Sequence, residues 1–145
     1  MQLDIGTNND LVDNCLKKAM SCLNDANSLY ENESYNGAAN RAYYSIFSSM
    51  TAVISLDGII CKSHKQLIGE FNKSYIHQGI FPRSFSKSIK EAEKIRHTGD
   101  YDFFENVSKK AAKNQIDFAT ELYNNVLEYC TDKKKYLSTN KSLSR

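Results

Sequence analysis

YNGAANRAYYSIFSSMTAVISL, residues 35–56, is the stretch on which the fold turns. Tyr35, Ala38, Ala39, Ala42, Tyr43, Ile46, Phe47, Met50, Val53 and Ile54 recur at steps of three and four. That is the spacing of a helical face. The apolar arc is wide, so this helix is expected at the centre of its domain. Asp57-Gly58 closes it, with glycine free to adopt the left-handed conformation.

Working outward, the same period returns on both sides. Val12, Leu16, Ala19, Leu23, Ala26 and Tyr30 predict a first helix from about Asn9 to Asn32. Ser63-His64-Lys65-Gln66 has the form of a capping box, with Ser63 as N-cap and Gln66 reaching back. It predicts a third helix to about His77, burying Leu67, Ile68, Phe71 and Tyr75, broken at Gln78-Gly79. Pro82 suits the first turn of a fourth helix, which is expected to stop at Gly99. Asp102 and Glu105 read as a cap for a long last helix, lined by Val107, Ala111, Phe118, Leu122, Val126 and Tyr129. No run alternates with period two. The expected fold is all-α: an antiparallel bundle of about five helices over residues 1–131, with a basic, disordered tail at 132–145.

Composition narrows the function. At 41% hydrophobic and 25% charged residues, the chain has the balance of a globular domain, and its apolar runs are too short to span a membrane. Its first residues lack the basic and apolar regions of a secretory signal, so a cytoplasmic location is expected. Cys15, Cys22, Cys61 and Cys130 form no CxxC pair and the histidines are scattered. The spacing argues against zinc, and the cysteines read as buried, reduced thiols. The net charge of +2 conceals an asymmetry. The tail holds five of the 19 basic residues and only Asp132 of the 17 acidic ones, which leaves the body with 14 against 16. The sequence contains no P-loop, GxGxxG, nucleophile elbow or HExxH motif, and no cofactor is expected.

The fourth helix departs from its own pattern. Phe85, Ile89 and Ala92 mark its inner face, and the next step of four lands on Arg96. A buried guanidinium needs a carboxylate, a helix end or a cleft open to water. Two readings stand: a helix-terminal arginine paired with Asp100 or capping the last carbonyls, and an arginine at the lip of a phosphate-handling site. On the opposite side Arg83, Lys87, Lys90 and Lys94 form a basic stripe that His97 extends. The stripe is either a solvated face or an RNA-binding surface. Tyr43 reads as core. Tyr44, off the apolar arc, is expected at a cleft or interface. Arg41 sits beside the arc, and His64 is expected to be exposed.

Taken together and in order, these segments resemble the HEPN superfamily, in particular its small stand-alone members. AANRAYYSIF at 38–47 is similar to the family's tyrosine-rich second helix. SHKQLI at 63–68 is similar to its histidine-then-helix segment, residues 71–81 to its phenylalanine-rich third helix and turn, and RHTGDY at 96–101 to its arginine…Asp-Tyr element. The likeness covers about residues 10–130.

The resemblance implies a homodimer. Many members are metal-independent endoribonucleases whose motif pairs an arginine and a following polar residue with a histidine five to seven positions on, two copies meeting across a dimer cleft. Arg96 matches the arginine and His97 the polar position. Positions 101–103 are Tyr101, Asp102 and Phe103, so the motif histidine is absent. Asp100, Tyr101 or an inward-turned His97 would have to act instead. The function implied is a toxin–antitoxin or phage-defence protein cutting RNA with Arg96, His97, Asp100 and Tyr101. The alternatives are a non-catalytic partner or substrate of a small nucleotidyltransferase antitoxin, with Tyr101 as the modified residue, or a helical scaffold.

Overall fold

Helix α2 (Tyr35–Leu56) packs against each of the other four α-helices among the described residues. Around it stand α1 (Ile5–Glu31), α3 (His64–Phe71), α4 (Ser84–Tyr101) and α5 (Lys109–Leu143). The computed structural model describes residues 5–101 and 106–143, with side chains for 9–98 and 106–133. Among the described residues there is no strand, and the architecture is the all-α bundle that the periodicity predicts.

Thirteen residues of α2 are buried. Several are small: Ala38, Ala42, Ser45, Ser49 and Ala52. Opposite them α1 buries Ala19 and Ala26, and small side chains on both helices let the backbones approach closely. The Ser45 hydroxyl donates to the Ala19 carbonyl at 2.8 Å across this seam. Residues 32–34 make the turn between the two helices, with Glu33 at φ 61 and the Ser34 N–H donating to the Leu29 carbonyl at 2.8 Å.

Expected punctuation recurs with some shifts. Gly58 and Gly79 take φ of 75 and 78, as the turns after α2 and α3 require. The Gln66 N–H donates to Ser63 Oγ at 3.1 Å. Gln66 Oε1 in turn accepts from the Lys62 N–H at 2.8 Å, one residue earlier than a capping box would place it. Helix α3 ends at Phe71 and passes into a π-helical turn, Asn72–Ile76, whose wider winding buries Tyr75 and Ile76 together. Pro82 lies just before α4, its carbonyl accepting from the Phe85 N–H at 3.0 Å. Helix α4 continues through Gly99 to Tyr101, two residues beyond the expected stop.

The caps expected at Asp102 and Glu105 lie outside the described residues. Helix α5 begins at Lys109, and Ser108 Oγ accepts from the Ala111 N–H at 3.0 Å as its N-terminal cap. The boundary expected at 131/132 falls inside α5, whose backbone is helical to Leu143.

Two features tie the outer helices down. Phe71, Phe81, Phe85 and Phe118 form a chain of ring contacts from α3 through α4 to α5, with centroids 5.5, 6.3 and 5.2 Å apart. Beside it, Asp57 at the end of α2 accepts hydrogen bonds from Tyr75 at 2.6 Å, from Tyr129 at 2.9 Å and from Lys133. Lys133 also donates to the Tyr129 hydroxyl at 3.2 Å. Burial, and then the hydrogen bond to the Asp57 carboxylate, push the Tyr75 phenol well above its usual range. Burial alone would lower the Lys133 ammonium, but its bonds to Asp57 and Tyr129 outweigh that and raise it.

Two outcomes are expected. Ser45→Ala removes a buried hydrogen bond and should cost about 1 kcal/mol, whereas Ser49→Ala, at a buried hydroxyl without a partner among the described residues, should be neutral or stabilising by up to about 1 kcal/mol; urea midpoints at unchanged slope decide. Stability should also fall on the alkaline side. The folded state holds the protons of Tyr75 and Lys133 more tightly than the unfolded chain. Their contribution is complete below the unfolded values of about 10 and is lost as pH rises beyond them. Melting curves between neutral and strongly alkaline pH should show this loss, and Tyr75→Phe should reduce it.

Candidate functional site

Helix periodicity carries Arg96 inward, as the sequence predicts. Its guanidinium lies over the Tyr43 ring at 4.9 Å and the Tyr44 ring at 5.5 Å, and Nη2 donates to the Tyr44 hydroxyl at 3.3 Å. The side chain is half-buried. A planar guanidinium is weakly hydrated and stacks on aromatic faces, which an ammonium does less well. A second guanidinium, Arg41, lies 5.1 Å from the centre of the same Tyr44 ring. Arg41 and Tyr44 are three apart on α2 and so share a face. One phenol therefore has an arginine from α2 and an arginine from α4 over its ring.

The neighbouring tyrosine faces the other way. Tyr43 is 2% exposed and belongs to the core, as expected. Its hydroxyl is 3.4 Å from His64 Nδ1 at the start of α3. His64 also packs on the Phe47 ring with centroids 4.1 Å apart, and remains exposed. Burial pushes the Tyr43 phenol up; the charge of Glu93 adds to this and Arg96 opposes it. The phenol is therefore neutral near pH 7. Beyond His64 opens an apolar groove of about 530 Å³, walled by Phe47, Ile54, Ile59, Cys61 and Leu67, with Ile60 at its lining 86% exposed.

The structure separates the residues singled out in the sequence. Arg96 is on the inner face of α4. Lys87, Lys90, Lys94 and His97 line a shallow outer groove on the same helix, joined by Glu91 and Glu93. Arg83 is exposed in the turn before α4. His97 is exposed and stands with the lysines rather than with Arg96. The side chains of Asp100 and Tyr101 lie outside the described residues, and with them the expected Asp100 pair and the modification candidate.

The sequence reading missed the convergence of Arg41, Tyr43, Tyr44, His64 and Arg96. Only the Arg41–Tyr44 spacing is a local signal. The contacts from Arg96 to Tyr44 and from His64 to Tyr43 join residues 52 and 21 positions apart. All four cysteines are free, but only Cys22 and Cys130 are buried as expected; Cys15 and Cys61 are partly exposed, and what burial they have is the largest cause that pushes their thiols up. Among the described residues no His, Cys, Asp and Glu side chains group to hold a metal, and no helix is long and apolar enough to cross a membrane.

An all-α bundle built around a central tyrosine-rich helix is the architecture of the HEPN class. The HEPN domain model matches residues 12–129, and the chain belongs to that family. It is similar to a Thermotoga maritima protein named "UPF0332 protein", 31% identical over 85 residues, or 59% of this chain and 64% of that one. It is also similar to two Methanocaldococcus jannaschii proteins. "Putative toxin MJ0142" is 28% identical over 118 residues, 81% of this chain and 80% of that one. "Putative toxin MJ0605" is 30% identical over 79 residues, 54% and 59% respectively. The chain thus spans just under two thirds of the first of these relatives and four fifths of the second.

The site's energetics can be checked directly. Tyr44→Phe keeps the ring beneath both guanidiniums and loses one hydrogen bond, so it should cost about 0.5–1 kcal/mol. Tyr44→Leu also removes both ring–cation contacts and should cost about 1 kcal/mol more, read from denaturant midpoints.

Proposed function

We propose that the protein is a toxin of the HEPN type whose target is RNA, and that it acts as an endoribonuclease through the Arg96 site. The observation that carries this reading is the inward guanidinium of Arg96, held against Tyr43 and Tyr44, with Arg41 over the same Tyr44 ring. Two fixed cations at one place are suited to a phosphodiester and to the extra negative charge of its pentacoordinate transition state. Cleavage through the 2′-hydroxyl needs such charge stabilisation and a proton-transfer group. Relatives named as toxins favour the same class.

On this reading the basic stripe of Lys87, Lys90 and Lys94 supplies sequence-independent affinity for the RNA backbone. Two copies of the chain would bring two such sites to a shared cleft, and a cognate nucleotidyltransferase would serve as antitoxin.

The test is an RNA cleavage assay in EDTA with purified protein, its oligomeric state fixed by light scattering. Wild type should cut single-stranded RNA, and Arg96→Ala should lose activity by about a hundredfold or more, the usual weight of one transition-state charge contact. Replacing Lys87, Lys90 and Lys94 together should instead weaken RNA binding and flatten its salt dependence. A folded wild-type protein that cuts no RNA at any concentration would remove the proposal.

A further inference from the structure

The motif position that a catalytic histidine would occupy holds no imidazole, and His97 stands on the outer face among lysines. A different imidazole, that of His64, meets the hydroxyl of Tyr43, whose ring carries the Arg96 guanidinium. We infer that His64 is the proton-transfer residue, held by Tyr43 and Phe47 and acting with the cation at Arg96. The inference rests on the endoribonuclease reading above and assigns its missing group.

Three observations carry it. One tyrosine ring connects the two groups: Tyr43 bears the Arg96 guanidinium on its ring and meets His64 Nδ1 with its hydroxyl. The imidazole is fixed on a second side by Phe47, so its orientation is set by packing as well as by the hydrogen bond. It is nevertheless exposed, on the lining of the apolar groove beside α2.

The hydrogen-bond directions are consistent with a base. With the proton on Nδ1, His64 donates to the Tyr43 oxygen and leaves the Nε2 lone pair outward. That bond survives protonation of Nε2, because Nδ1–H still donates to the neutral phenol. In the opposite tautomer the Tyr43 hydroxyl would donate to Nδ1, and that bond would have to reverse when the ring becomes imidazolium.

The step balances without water or a metal. His64 Nε2 takes the proton of the ribose 2′-hydroxyl, and the 2′-oxygen forms a bond to phosphorus. The bond from phosphorus to the 5′-oxygen breaks, and the imidazolium returns its proton to that oxygen. The products are a 2′,3′-cyclic phosphate and a 5′-hydroxyl. Arg96 offsets the charge that builds on the phosphoryl oxygens.

The experiment compares wild type, Arg96→Ala, His64→Gln and Tyr43→Phe on one labelled single-stranded RNA, with folding verified by circular dichroism and melting. His64→Gln should lower kcat by about a hundredfold or more with little change in KM, the signature of a lost acid–base group. Tyr43→Phe, which keeps the ring beneath Arg96, should lower kcat by about threefold to tenfold through loss of one orienting hydrogen bond. Cut RNA should carry cyclic phosphate ends. His64→Gln cutting at the wild-type rate while Arg96→Ala is inactive would overturn this inference and leave the nuclease intact. Ends bearing 5′-phosphate would overturn it too. A wild type that cuts nothing would remove both.

Discussion

The burial of α2 on nearly every side is the constraint from which the rest follows. A helix enclosed by four others has little water to satisfy its polar groups, so several find partners on its neighbours. Ser45 finds the Ala19 carbonyl on α1. Asp57, just past its last turn, collects two phenols and an ammonium from the turn after α3 and from α5. Tyr43 and Tyr44 find a histidine on α3 and an arginine on α4. The partners that satisfy α2 also fix how α1, α3, α4 and α5 are arranged about it. A candidate site at its N-terminal half is therefore built into the packing.

The chemistry of the Tyr43–Tyr44 pair follows from their being adjacent. Successive helical residues point about a hundred degrees apart. One hydroxyl can therefore turn toward α3 and the other toward α4, while the two rings remain in edge contact at 5.7 Å. Arginine suits the position between them. Its flat, weakly hydrated head can lie on an aromatic face and still direct N–H groups elsewhere, so partial burial costs it less than it would cost lysine. Tyr43 stays neutral because it is buried and near Glu93, and a neutral phenol can accept from an imidazole without competing for the guanidinium's charge.

The fold was legible because its signals are local. The α2 pattern gives both of its ends, and Ser63, Gly58 and Gly79 mark turns by properties of single residues. The errors have equally specific causes. Gly99 reads as a stop, but a glycine inside a helix costs only about 1 kcal/mol, and α4 passes through it. At the charge shift near 132, Lys133 carries its charge to Asp57, a partner 76 residues away that no local pattern indicates. Ser108 caps α5 through the Ala111 N–H, a role any serine beside a helix start can take and that its spacing does not single out. Arg96 was legible because its position in the α4 pattern is anomalous. His64 was visible as an exposed histidine, but its link to Tyr43 is a tertiary contact, and no spacing in the chain announces it.

Helix α4 carries cations on two faces, and physics gives them different work. The lysines of the outer face are long, hydrated and near Glu91 and Glu93, so they can attract a polyanion over a distance but hold no fixed geometry. Arg96 is held by two rings and a hydroxyl, so its charge is directed at one place. Salt would screen the first group much more than the second, because exposed charges are screened over a Debye length of about 8 Å while half-buried ones are sheltered. On the proposed reading, affinity and chemistry are therefore separable on opposite sides of one helix. A surface variant can then weaken capture of RNA while leaving intact the turnover of RNA already bound.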